Sequence, residues 1–245
     1  MNYHWNWDVF FQTIPSGDET YLMWVIHGLG WTVAISLAAW LIALILGSIV
    51  GTLRTVPHRG VAMIGHIWVE FFRNVPLLMQ LFLWFFVVPE LLPKDLSLWV
   101  KQDMPAKEFI TAVLALGLFT SARVAEQVRA GIQTLPRGQR NAGLALGFTT
   151  TQTYRYVLLP MAFRIIIPPL TSEFMNTFKN SGVAYAVGVW ELIFVSRQMV
   201  EETGGQVIES LLVPTVLYIV CSYAANRIMS VIERRTHVPG FIVAK

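Results

Sequence analysis

The sequence predicts an all-α integral membrane protein with five transmembrane helices, on three observations. Of its 245 residues 55% are hydrophobic and 13% charged, where a soluble domain carries about 25% charged residues. Apolar stretches recur five times, each near the ~20 residues that cross a bilayer. The basic residues gather in alternate connections between those stretches. Mean hydropathy is +0.55, and the excess of +3 charges sits at segment ends, so it does not call for nucleic acid.

Residues 1–26 form an N-terminal segment with Trp5, Trp7, Phe10, Phe11 and Trp24 beside Asp8, Asp18 and Glu19. Aromatics of this kind favour the membrane–water interface, and the segment is expected on the bilayer surface. It lacks the basic start and apolar run of a signal peptide. The first span is expected over 27–52, free of charge until Arg54, with Gly47-Ser-Ile-Val-Gly51 as a close-packing GxxxG. The second is expected over 66–88, the third over 108–134, the fourth over 162–187 and the fifth over 208–231. Pro168-Pro169 in the fourth remove two helical donors, which predicts a kink. Residues 27–233 then make one membrane domain and 234–245 a tail. Cys221 is alone, so neither an intrachain disulfide nor a cysteine metal motif is possible.

Orientation follows from the connections. Arg54, His58 and Arg59 lie between the first two spans, Arg137, Arg140 and Arg155 between the third and fourth, and Arg234 and Arg235 after the fifth. The remaining connections are mixed or acidic. The positive-inside rule then puts the N-terminus outside and the C-terminus in the cytoplasm.

Ionisable groups at membrane depth are costly and usually face a cavity or a partner. Arg123, Glu126 and Arg129 fall at i, i+3 and i+6 on one side of the third span. They form either a salt-bridged ladder between helices or the lining of a substrate gate, Arg129 being closer to the interface and more structural. Glu70 and Arg73 are spaced to pair with each other. In the fourth span Glu173, Asn176, Lys179 and Asn180, with Ser172 and Ser181 nearby, exceed the polarity that packing needs and suggest a polar pathway. No side-chain constellation suited to catalysis or metal binding appears at this depth.

The stretch Gly138-Gln139-Arg140-Asn141-Ala142-Gly143-Leu144-Ala145-Leu146-Gly147 is polar, basic and rich in small residues. Pro136 and Gly147 bound a helix there of about ten residues, too short to span a bilayer. Ala142, Gly143 and Ala145 give it a bare face for close approach by another protein. So short a helix gains little stability by itself.

This stretch, closed by Val157-Leu158-Leu159-Pro160, resembles the Gln-x-Glu-Ala-Ala-x-x-x-Gly…Ile-x-Leu-Pro signature of bacterial ABC importer permeases. In that family it is the coupling helix, here about 137–148, which docks on the ATPase. Gln139, Ala142, Gly147, Leu159 and Pro160 match, while Asn141 stands for the family's Glu and Gly143 for its second Ala. Glu70-Phe-Phe-Arg-Asn-Val-Pro-Leu-Leu-Met-Gln80, Arg123-Val-Ala-Glu-Gln-Val-Arg-Ala-Gly-Ile-Gln133 and Lys179-Asn-Ser181 resemble segments of the permeases for polar amino acids. With Trp5-Asn-Trp7 and Leu53-Arg-Thr-Val-Pro57, the likeness covers nearly the whole chain and is closest to glutamate/aspartate permeases.

The resemblance implies a type I ABC importer transmembrane domain in the bacterial inner membrane, forming half of a translocation pathway. It implies a second permease subunit, suggestive of a heterodimer, two cytoplasmic ATPase subunits and a periplasmic amino acid-binding protein. ATP-Mg would be bound by the partner ATPase, since this chain contains no Gly-x-x-x-x-Gly-Lys-[Ser/Thr]. Arg73, Arg123 and Lys179 are candidates for the carboxylates of an acidic substrate, with Glu126, Glu173 and Asn176 along the same pathway. An ion-coupled secondary carrier using Glu126 or Glu173 is the rival reading, though five spans without an inverted repeat suit it poorly.

Overall fold

The computed structural model describes residues 4–15 and 17–236; residues 237–245 of the expected tail lie outside them. The helices in chain order are α1 (Tyr21–Leu53), α2 (Arg59–Asn74), α3 (Leu77–Leu91), α4 (Lys94–Leu98), α5 (Lys107–Thr134), α6 (Arg137–Ala145), α7 (Thr150–Val187), α8 (Leu192–Thr203) and α9 (Val207–Thr236). A 3₁₀ turn, Trp7–Phe11, precedes them. Helices α1, α5, α7 and α9 are long and apolar enough to cross a bilayer, and α2 with α3 makes a fifth crossing when counted as one broken span.

The second span, expected over 66–88, is this broken pair, Arg59–Asn74 and Leu77–Leu91. Val75 is extended, with φ −94° and ψ 128°, because the ring of Pro76 disfavours helical backbone in the residue before it. Helix α3 restarts from the Pro76 carbonyl, which accepts from Gln80 N–H at 3.0 Å. Prolines also explain three widened turns with i→i+5 bonding, at Leu83–Val87, Trp99–Asp103 and Tyr154–Leu158. Each lies just before a proline (Pro89, Pro105 or Pro160) that cannot donate to the preceding turn. Pro168 and Pro169, by contrast, lie inside the unbroken helix Leu159–Ser181.

The chain forms two compact units, one from the described residues up to Ala39, Pro76–Leu116 and Asn176–Tyr223, the other from Trp40–Val75, Gly117–Met175 and the residues from Ala224 on. In the first, Val9, Phe10 and Ile14 pack with Tyr21, Trp24 and Val25 of α1 and Leu192, Val195 and Met199 of α8. The N-terminal segment is therefore held against protein on one side, and α1 begins at Tyr21, a turn and a half before the expected first span. Trp5 and Trp7 stack at 5.5 Å and, with Phe11, stay exposed. Glu191 is fully buried and caps α8, accepting from Ile193 N–H and Phe194 N–H, both at 2.9 Å, and from the Tyr218 hydroxyl at 2.6 Å.

The second unit is built on glycine seams. A Cβ at Gly47 would lie 2.6 Å from Val124 Cβ, and one at Gly51 2.6 Å from the Ala125 carbonyl oxygen. The GxxxG is thus the face on which α1 meets α5. Gly131 of α5 does the same against Ile166 and Ala162 of α7. Small residues bring helices close where lipid offers no hydrophobic drive to associate.

Candidate functional site

Helix α5 presents Phe119, Arg123, Glu126, Gln127 and Ala130 on one face, at the i, i+3/i+4, i+7 spacing. With Arg73 of α2 and Glu173 of α7 they line a cleft of about 510 Å³ within the second unit. Arg123 Nε lies 3.0 Å from Glu173 Oε2 in an ion pair. Glu126 is a hub. Its Oε1 accepts from Arg54 Nη1 at 2.7 Å, its Oε2 pairs with Arg129 at 2.9 Å, and Arg73 Nη1 approaches Oε1 at 3.8 Å. Side-chain exposure sorts these groups: 5% for Arg54 and 20% for Glu126, against 59% for Arg73 and 40% for Arg123. Four guanidiniums (Arg54, Arg73, Arg123, Arg129) face two carboxylates (Glu126, Glu173), so the paired groups carry 4 − 2 = +2. The two exposed cations, Arg73 and Arg123, point the excess into the cleft.

Four of the six residues expected along a pathway therefore meet here: Arg73, Arg123, Glu126 and Glu173. Asn176 and Lys179 belong to the first unit and do not line the cleft. Glu126 both takes ion pairs from Arg54 and Arg129 and borders the cleft. The spacing of Glu70 and Arg73 does not produce a pair, because Glu70 accepts from Asn74 at 2.7 Å and Arg73 turns toward Glu126. Sequence reasoning missed Arg54, placed only as a cytoplasmic loop charge. Its signal was its place at a span end shortly after the GxxxG that brings α1 onto α5.

The short helix α6 forms as its boundaries predict. Pro136 precedes its first residue. Gly147, at φ +84°, ends it in a left-handed turn where Phe148 N–H bonds the Gly143 carbonyl at 3.1 Å and Gly147 N–H bonds that of Leu144 at 3.0 Å. Gly143 is its one buried position, packed against Thr153 so that an added Cβ would sit 3.0 Å from Thr153 Cγ2. The glycine at this position thus brings α6 close to α7. Asn141, Ala142, Leu144, Ala145 and Leu146 are exposed, an apolar and polar surface left uncovered by the described residues. Tyr154 and Gln152 fix the start of α7. The Tyr154 hydroxyl donates to the Thr55 carbonyl at 2.7 Å, and Gln152 forms a capping box with Thr149.

Residues 43–238 match the family model described as binding-protein-dependent transport system inner membrane component. The chain is 45% identical to the glutamate/aspartate import permease protein GltJ of Escherichia coli strain K12, over 98% of each chain. It is 30% identical to the permease protein GltK of Escherichia coli O6:H1, over 96% of this chain and 99% of that one. A crystal structure of an amino acid ABC transporter superposes with a TM-score of 0.74 at 27% identity, covering 88% of this chain and 95% of that one. The inward-facing MetNI methionine ABC transporter shares the fold, with a TM-score of 0.73 at 21% identity over 89% and 98%. A helical membrane protein with a short exposed helix between α5 and α7, matched end to end by such relatives, belongs to the inner membrane components of binding-protein-dependent transport systems.

Proposed function

We propose that this chain is the permease subunit that forms half of the translocation pathway of an ATP-driven importer for glutamate and aspartate. The observation that carries the substrate class is the cleft, where Arg73 and Arg123 expose guanidinium groups and the ion-paired cluster holds a net +2. An acidic amino acid brings two carboxylates and one ammonium. The two arginines suit the carboxylates through charge-assisted bonds, and Glu173 or Glu126 suits the ammonium. The names of GltJ and GltK support the same substrates and a heterodimeric pore with a second permease.

Energy comes from two cytoplasmic ATPase subunits, which bind ATP-Mg, and substrate from a periplasmic binding protein. The exposed face of α6 is the surface offered to an ATPase, and in this reading α6 and the C-terminus are cytoplasmic and the N-terminus periplasmic, supported by the basic residues gathered in the connections on the α6 side. Closure of the ATPases on ATP pushes α6, and the attached α5 and α7 tilt to switch the cleft between outward and inward access.

The test is uptake of labelled glutamate, aspartate, glutamine and arginine into vesicles holding the complete transporter, with its binding protein and with or without internal ATP. Uptake of the acidic pair alone, and only with ATP, is expected. Uptake driven by an ion gradient without ATP would replace this reading with a secondary carrier, and uptake of arginine in place of the acids would overturn the assignment of the cleft.

A further inference from the structure

A continuous set of contacts runs from α6 to the cleft within one compact unit. Gly143 of α6 abuts Thr153, and the next residue, Tyr154, is buried with its hydroxyl on the Thr55 carbonyl at 2.7 Å. Thr55 in turn donates from its own hydroxyl to the Thr52 carbonyl at 2.8 Å, fastening this turn to the end of α1. Arg54, the preceding residue, is pinned along its stem by Gly65, where a Cβ would lie 2.6 Å from Arg54 Cγ. Its guanidinium donates to Glu126 Oε1 at 2.7 Å and to His66 Nδ1 at 3.0 Å. A guanidinium has no acceptor, so His66 takes that bond on an unprotonated nitrogen.

One oxygen, Glu126 Oε1, therefore stands between two arginines, at 2.7 Å from Arg54 and 3.8 Å from Arg73. We propose that Tyr154 and Arg54 are positioning residues that turn displacement of α6 into an exchange of partners at Glu126. With Arg54 on Oε1, Arg73 is open to the cleft and to an anion in it. When the start of α7 moves with α6, Tyr154 draws the Thr55 turn with it and Arg54 leaves Oε1. Arg73 then closes the remaining gap and the cleft loses an available cation. The stroke thereby weakens the hold on a carboxylate at the moment of release. By reciprocity, an anion seated on Arg73 favours the Arg54–Glu126 pair and the position of α6 that goes with it. Both states are discrete ion pairs, as a two-state coupling element requires. This inference rests on the importer reading.

The experiment uses the reconstituted complete transporter and the amino acid that its wild-type form carries, measuring amino acid imported per ATP hydrolysed. Failure of the importer reading appears in the wild-type complex, before any variant is compared. Tyr154→Phe keeps the ring and removes the donor. It is expected to leave ATP hydrolysis running and lower import per ATP by about fivefold or more, the lower range of allosteric coupling. In a Glu126→Gln background the same change is expected to have no further effect, because the exchange is already lost. An unchanged ratio for Tyr154→Phe, or an equal loss in both backgrounds, overturns the proposal. Arg54→Gln supplies a second measurement independent of Tyr154. It is expected to raise the apparent KM for an anionic substrate about tenfold while ATP hydrolysis continues, with partial rescue by Arg54→Lys. An unchanged KM overturns the proposal equally.

Discussion

Glu126 and Arg123 show how similar ion pairs carry different consequences. Arg54 is almost wholly buried against Glu126, so Glu126→Ala leaves a buried guanidinium without its carboxylate. Breaking a buried pair in this way costs about 3–5 kcal/mol, and the variant is expected to lower the midpoint of thermal unfolding in detergent and to reduce assembly. Arg123 is partly exposed to the cleft and pairs with Glu173. Arg123→Ala is expected to leave the assembled complex intact and to weaken uptake of an acidic substrate about tenfold, the loss of one charge-assisted bond. Unchanged affinity and rate in an assembled complex would remove Arg123 from the pathway.

Glu191 makes a pH prediction outside the membrane-spanning helices. Its burial pushes the carboxyl pKa up to about 7 from 4.5, outweighing the hydrogen bonds donated by Ile193, Tyr218 and Phe194. The folded protein therefore binds this proton more tightly than the unfolded chain. The contribution of Glu191 to stability is full below about pH 4.5, falls as pH rises toward 7, and levels off above it, by about 3 kcal/mol in all. Glu191→Gln keeps an acceptor for the α8 amides and is expected to remove this group's part of the slope when unfolding is measured from pH 5 to 8. A slope that persists in full assigns it to other groups.

Among the elements, α1 shows that glycines in one helix do different work. Gly51 faces a backbone oxygen at 2.6 Å, while Gly30 has no atom within 4 Å of an added Cβ. Gly51→Ala must push α1 off α5 and is expected to destabilise by about 1–3 kcal/mol. Gly30→Ala meets nothing, restores helix propensity, and is expected to be neutral or to stabilise by up to about 1 kcal/mol. Thermal unfolding of the two variants side by side checks both, and equal effects would refute the seam. Helix α6 follows a local logic, since proline at one end and a left-handed glycine at the other set its length. Its exposed Leu144 and Leu146 are explained at a larger scale, by the ATPase proposed to cover them.

For the whole molecule, the sequence by itself determined the fold class, the number and order of the apolar stretches and the short helix between the third and fourth. These depend on local chemistry: runs of apolar residues, proline and glycine at boundaries, and charges repeated every three residues on α5. Resemblance to known permeases, read from the same residues, led to the family. Tertiary structure alone decided which charges meet. Arg54 and Glu126 lie 72 residues apart, and no spacing rule reaches that far, whereas the neighbours Glu70 and Arg73 had the right spacing and took other partners. It also decided that Val9, Phe10 and Ile14 of the N-terminal segment pack on α1 and α8, since amphipathic segments bury against lipid or protein for the same physical reason. Local periodicity shows which groups need partners, and only the folded chain, where burial makes each pairing strong or costly, shows which partners they take.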